Sequence, residues 1–88
     1  MRARFDEIRQ EITRNDEAIV AAVNRRLTLV TELWELKAQL GLDTVDADRE
    51  RLLREALAAA SDGPLSRGGL DLLVTELLDL TKRELGAG

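Results

Sequence analysis

The chain has 88 residues, carries a formal charge of -4, and contains neither Cys nor His. Disulfides, thiol chemistry and the usual imidazole base or metal ligand are therefore excluded, and no metal site is expected. With Phe5 and Trp34 as the only aromatics and no basic face, there is no stacking platform or electrostatic footprint for nucleic acid. No segment has the length and apolarity of a membrane span and no signal-peptide pattern is seen, so a cytoplasmic protein without a membrane partner is expected.

Ala, Leu, Glu and Arg dominate, and the one Pro is Pro64, which predicts an all-α chain. The length predicts a single helical domain over residues 1–88. A first helix is predicted from about residue 3 to 40, because no breaker interrupts the apolar ladder of Phe5, Ile8, Ile12, Ile19, Ala22, Val30, Leu33 and Leu40. It would span roughly 55 Å. The 48 residues that remain cannot cover such a rod, so it must find another chain.

Gly41-Leu42-Asp43-Thr44 reads as a turn, with Gly41 as helix C-cap. Thr44 or Asp46 then caps a second helix to about residue 60, with acids in its first turn. Ser61-Asp62-Gly63-Pro64 stops it, and Ser66 caps a third helix to about residue 85, with Leu70, Leu73, Leu77, Leu80 and Leu85 as its ladder. Gly86-Ala87-Gly88 is expected to fray. The expected architecture is one long and two short helices in an intertwined helical homodimer.

Continuing the three-and-four stepping of the first helix lands on Arg26 and Lys37. A buried cation is costly unless an anion pairs with it. Eleven residues separate the two, nearly three full turns, so they share a face with backbones about 16 Å apart along the axis. Two long side chains leaning together would clamp a small polyanion. On the second helix Asp46, Arg49 and Glu50 also share a face, adding a third cation and two acceptors for a hydroxyl. Arg9 lies about 25 Å from Arg26 along the axis and cannot reach the same pocket in its own chain, but an antiparallel partner would deliver it. These six groups sum to +2, which a dicarboxylate would neutralise.

Each residue alone has a plainer interpretation. Arg26 follows Arg25 and fits a solvated pair; Lys37 can snorkel from the stripe's edge. Asp46, Arg49 and Glu50 fit a cap followed by ordinary surface charges, and Arg9 a surface residue. Trp34 and the Leu ladders fit core or interface. The joint spacing favours an anion site.

That spacing resembles the all-α chorismate mutases, most of all the small actinobacterial members. The matching text is Ile8-Arg9-Gln10-Glu11-Ile12, Asn24-Arg25-Arg26, Leu36-Lys37 and Asp46-Ala47-Asp48-Arg49-Glu50, with Asp16 also in register, over roughly residues 5 to 85. The resemblance implies an isomerase of the shikimate pathway, on the way to aromatic amino acids. Its substrate would be chorismate, rearranged to prephenate by a Claisen shift without cofactor, metal or covalent intermediate. Catalysis would come from orientation and electrostatics. By carry-over, Arg26 and the Arg9 of a partner chain grip the carboxylates. Lys37 donates to the ether oxygen as negative charge grows there, Glu50 and Asp46 hold the hydroxyl, and Arg49 completes the cationic wall.

The third helix departs from the family pattern of a Ser followed four residues later by a Gln or Glu that donates to the ether oxygen. Thr81 sits near the Ser position, Leu85 falls on the Gln position, and Glu84 lies beside it. Leucine cannot donate, and losing one such donor costs on the order of 10²–10³ in rate. For Glu84 to substitute it must be protonated, so activity would rise at acid pH. A weak enzyme is expected. The ending Arg83-Glu84-Leu85-Gly86 further resembles members that are activated in complex with a deoxy-heptulosonate phosphate synthase. Two other functions remain open. One is an isochorismate pyruvate lyase on the same scaffold, disfavoured by the intact Asp46…Arg49-Glu50. The other is a non-catalytic helical dimerisation module, which leaves the cations in the apolar stripe unexplained.

Overall fold

The computed structural model describes residues 1–86, so Ala87 and Gly88, expected to fray, lie outside the described residues. Three helices run in order: α1 over Arg2–Leu40, α2 over Ala47–Ala60 and α3 over Arg67–Leu85. No strand is present among the described residues.

The ends of these helices follow from local chemistry. Gly41 takes the left-handed conformation at φ 71, which carries no steric penalty for glycine. Its N–H reaches Ala38 O, and the Leu42 N–H reaches Lys37 O at 2.8 Å, the paired bonds of a Schellman turn. Of the two expected caps for α2, Asp46 is the one used: its Oδ1 accepts from Arg49 N at 3.1 Å. Ser66 caps α3 by accepting from Gly69 N at 3.0 Å. Gly86 does not fray as expected: it closes α3 in the left-handed conformation, donating its N–H to Lys82 O at 3.0 Å.

α3 packs against both α1 and α2, while α1 and α2 do not pack on each other. The short hydrophobic core lies on α3, where Leu70 and Val74 are the buried apolar residues among those described. Arg54 ties α2 to α3, donating from Nη1 to Asp71 O at 3.2 Å and from Nη2 to Thr75 Oγ1 at 2.9 Å.

The result is long and thin. The molecule measures 59 × 24 × 19 Å with a radius of gyration of 16.6 Å. A compact domain of this length would have about 12 Å. α1 alone accounts for the long dimension, and its first part projects past α3: every residue through Ala22 is exposed. On that overhang Phe5, Ile8, Ile12 and Ile19 are 41–55% exposed. At 100° per residue they fall within an arc of about 60°. Val23, Arg26, Val30 and Lys37 continue the same arc and are half-buried, because there α3 and the loop after α1 cover it.

Candidate functional site

Where the three helices converge they form a half-open cavity of about 260 Å³. Its walls come from the second half of α1, the loop after it, the first two turns of α2, and the last two turns of α3. Arg26, Lys37, Asp46, Arg49, Glu50 and Thr81, expected at separate points along the chain, all line it.

Each is positioned by the elements just described. Arg26 is half-buried where α3 passes over α1, and its Nη1 donates to Thr81 Oγ1. Thr81 is 5% exposed and donates in turn to Leu77 O at 2.7 Å, inside its own helix. The hydroxyl thus serves as an oriented acceptor, holding the guanidinium at the cavity wall, and among the described residues its other N–H groups have no partner.

Lys37 sits at the end of α1, and its Nζ donates to Thr44 O at 3.2 Å. The Schellman turn carries the chain back past Lys37, so the ammonium is anchored at the cavity edge by the loop it faces. One of its three N–H groups is used there, leaving two. Asp46 gives one carboxylate oxygen to the α2 cap and keeps the other. Arg49 and Glu50 follow one turn later, with Glu50 half-buried. Their carboxylates and cations face the same cavity, so it can accept an anion and a hydroxyl side by side. Val30, Leu33, Trp34, Leu53 and Leu78 supply an apolar remainder. Trp34, first read as core or interface, therefore belongs to the wall of the site.

Three expected residues lie elsewhere. Arg9 is on the overhang, its Cζ 5.3 Å from the centre of the Phe5 ring, in a shallow groove with Gln10, Thr13, Arg14 and Glu17. Glu84 is exposed and Leu85 half-buried in the last turn of α3, and neither lines the cavity.

One charged lining residue escaped the sequence reading, along with the apolar Val45, Leu53 and Leu78. Lys82 follows Thr81 and faces the cavity. Leu78, Thr81 and Lys82 stand at i, i+3 and i+4 and so share one face of α3, but spacing alone does not show that this face turns to the cavity. With Lys82 included, the cavity holds Arg26, Lys37, Arg49 and Lys82 against Asp46 and Glu50, four cations against two carboxylates. The local +2 stands in a chain of net -4. Among the described residues no group of three His, Cys, Asp or Glu is placed to hold a metal ion, and no helix is long and apolar enough to cross a membrane.

Comparison with known proteins gives one family. Residues 8–84 match the family model described as Chorismate mutase type II. No match is found among curated proteins or among solved structures.

Proposed function

The chain belongs to the chorismate mutase type II family and is an isomerase of that class acting on chorismate, and from that premise we propose that the cavity at the helix junction rearranges chorismate to prephenate by electrostatics and positioning alone. The observation that carries this reading is the convergence of Arg26, Lys37, Arg49, Asp46 and Glu50, from α1 and the start of α2, on one cavity whose net charge, with Lys82 of α3 counted, is +2.

In this reaction a carbon–oxygen ether bond breaks while a carbon–carbon bond forms within the same molecule. Electrons move round a closed ring of atoms, and no proton is exchanged with the protein. The protein has two tasks: to hold the folded conformer of the substrate and to stabilise charge that appears as the ether bond lengthens. Arg26, oriented by Thr81, takes one carboxylate. Lys37 directs a free N–H at the ether oxygen. The spare oxygen of Asp46 and the carboxylate of Glu50 receive the hydroxyl, and Arg49 closes the cationic wall. Neither Glu84 nor Leu85 lines the cavity. This supports a modest enzyme lacking a second donor at the ether oxygen, with Glu84 in a catalytic role only if the last turn of α3 rearranges on binding.

The assembly proposed is a homodimer. Phe5, Ile8, Ile12 and Ile19 lie exposed along one face of a helix that extends beyond its own chain's cover, with Asn15 and Asp16 between the last two. Large apolar side chains aligned on an uncovered face mark an interface. A second copy running antiparallel would cover that face and bring its Arg9 to the cavity of the first. An activating complex with a deoxy-heptulosonate phosphate synthase is proposed on sequence resemblance alone, as is a cytoplasmic location.

The test is the loss of chorismate absorbance with purified protein from acid to neutral pH, with the product identified. Prephenate is the expected product. Pyruvate release instead would identify an isochorismate pyruvate lyase when isochorismate is supplied, and absence of turnover and of chorismate binding would refute the assignment of this cavity. A several-fold rise in rate on adding the synthase is expected if the complex forms, and an unchanged rate removes that partner.

A further inference from the structure

The last turn of α3 carries three charged residues in a row, Lys82, Arg83 and Glu84, and the fold separates them. Lys82 faces the cavity; Arg83, about 100° further round the helix, lies outside it in a shallow groove with Leu73, Glu76, Leu77 and Leu80; Glu84 lines neither. The remaining cations of the cavity differ in how far they are engaged. Arg26 is bonded to Thr81, and Lys37 to Thr44 O. Lys82 makes no ion pair and no side-chain hydrogen bond among the described residues, though acids of its own helix, such as Asp79, lie within a turn of it. Its long stem lets the ammonium reach over the rim beside Leu78 while its Cα stays in the helix.

From this placement we propose that Lys82 is a further substrate-binding residue of the site, taking a carboxylate of the bound dianion on the side of the cavity that α3 forms. The proposal rests on the chorismate mutase reading above. It changes the picture of how one chain balances its ligand. With Lys82, the single-chain cavity already carries the +2 that a dicarboxylate neutralises. The Arg9 of a partner would then add a third net charge and strengthen binding rather than complete the balance. Because Lys82 is exposed at the rim, its contact forms on binding and persists through the reaction. Interactions of that kind act on KM and leave kcat nearly unchanged.

The experiment uses the full chain and compares Lys82→Met, Lys82→Arg and Arg83→Met with the parent, measuring KM and kcat for chorismate and the thermal midpoint. Arg83→Met removes the same charge from the same helical turn, so it controls for the general field and for the helix dipole. The expected result is a rise in KM of about tenfold in Lys82→Met with kcat within about threefold of the parent, from loss of one solvent-exposed charge-assisted bond. Lys82→Arg should recover most of that loss, Arg83→Met should behave as the parent, and all three should melt near the parent. An unchanged KM in Lys82→Met, an equal rise in Arg83→Met, or no recovery in Lys82→Arg overturns the assignment. A parent that neither binds nor converts chorismate refutes the mutase reading itself, and the role of Lys82 with it, which separates the two failures.

Discussion

Thr81 offers the sharpest test of how the site is held, because its two functional atoms have different jobs. The hydroxyl accepts from Arg26 Nη1, while the side chain as a whole is 5% exposed in the small junction between α1 and α3. Thr81→Val keeps the shape and removes the acceptor. Thr81→Ser keeps the acceptor and removes a methyl. A hydrogen bond involving a charged group contributes about 1.5–3 kcal/mol, and since Arg26 is only half-buried, the low end applies. If that bond orients the guanidinium, Thr81→Val should lower kcat/KM about tenfold, the equivalent of about 1.4 kcal/mol. Loss of a buried methyl costs about 1 kcal/mol. For a domain of this size that lowers the thermal midpoint by roughly 4–8 °C. Thr81→Ser should therefore melt earlier and turn over normally when assayed well below its midpoint. Steady-state kinetics and differential scanning calorimetry at matched protein concentration measure both. Thr81→Val with parental kcat/KM, or Thr81→Ser as impaired as Thr81→Val, would refute the claim that the hydroxyl acts by orienting Arg26.

Arg26→Ala and Lys37→Ala should each abolish measurable turnover while circular dichroism reports unchanged helix content; retention of most activity in either breaks the clamp. The proposed crossed dimer makes a stoichiometric prediction. Arg9→Ala, weakened in binding, and Arg26→Ala, inactive, should recover roughly a quarter of parental activity when mixed one to one and allowed to exchange, at a chorismate concentration too low for Arg9→Ala alone to turn over, because half the dimers are then mixed and each has one intact site. No recovery after subunit exchange shown by mass spectrometry rules out Arg9 acting across the interface. A site of net +2 binding a dianion should also be salt-sensitive, since the screening length falls from about 10 Å at 0.1 M to about 3 Å at 1 M. KM should rise over that range with kcat nearly constant, and a flat KM would show that charge does not drive binding.

The features that were legible in the sequence are those set by spacing along one helix. Arg26 and Lys37 stood out because a 3.6-residue period makes a cation inside an apolar stripe visible without any knowledge of what lies opposite. The same holds for Asp46, Arg49 and Glu50, where the cap and the face are both local. The extent of α1 was readable because nothing in residues 2–40 breaks a helix. What spacing could not convey was packing between helices. Trp34 lines the cavity because α2 and α3 form the other walls of the pocket that this part of α1 faces, and no local pattern separates such a residue from an interface tryptophan. Lys82 was missed for a related reason: its relation to the site is set by the rotation of α3 against α1. That rotation is fixed by Arg26–Thr81 and by the contacts around Val74, neither of which has a sequence signature.

A thin core has a consequence for the site. With Leu70 and Val74 as the buried apolar residues, few contacts beyond the site's own fix the convergence of the three helices. Arg26–Thr81 ties α1 to α3, Lys37–Thr44 ties α1 to the loop, and Asp46 starts α2. The groups that would grip the ligand are therefore among those that set the angles between the helices. Arg54, which joins α2 to α3 without facing the cavity, is the structural tie outside this set. Gathering four cations around one cavity works against this convergence by mutual repulsion, and a bound dianion relieves it. A ligand bound there would then favour the converged arrangement, and substituting a cavity cation would remove a binding group and a repulsive one together. Its effect on stability can take either sign, so binding must be measured directly and not inferred from melting.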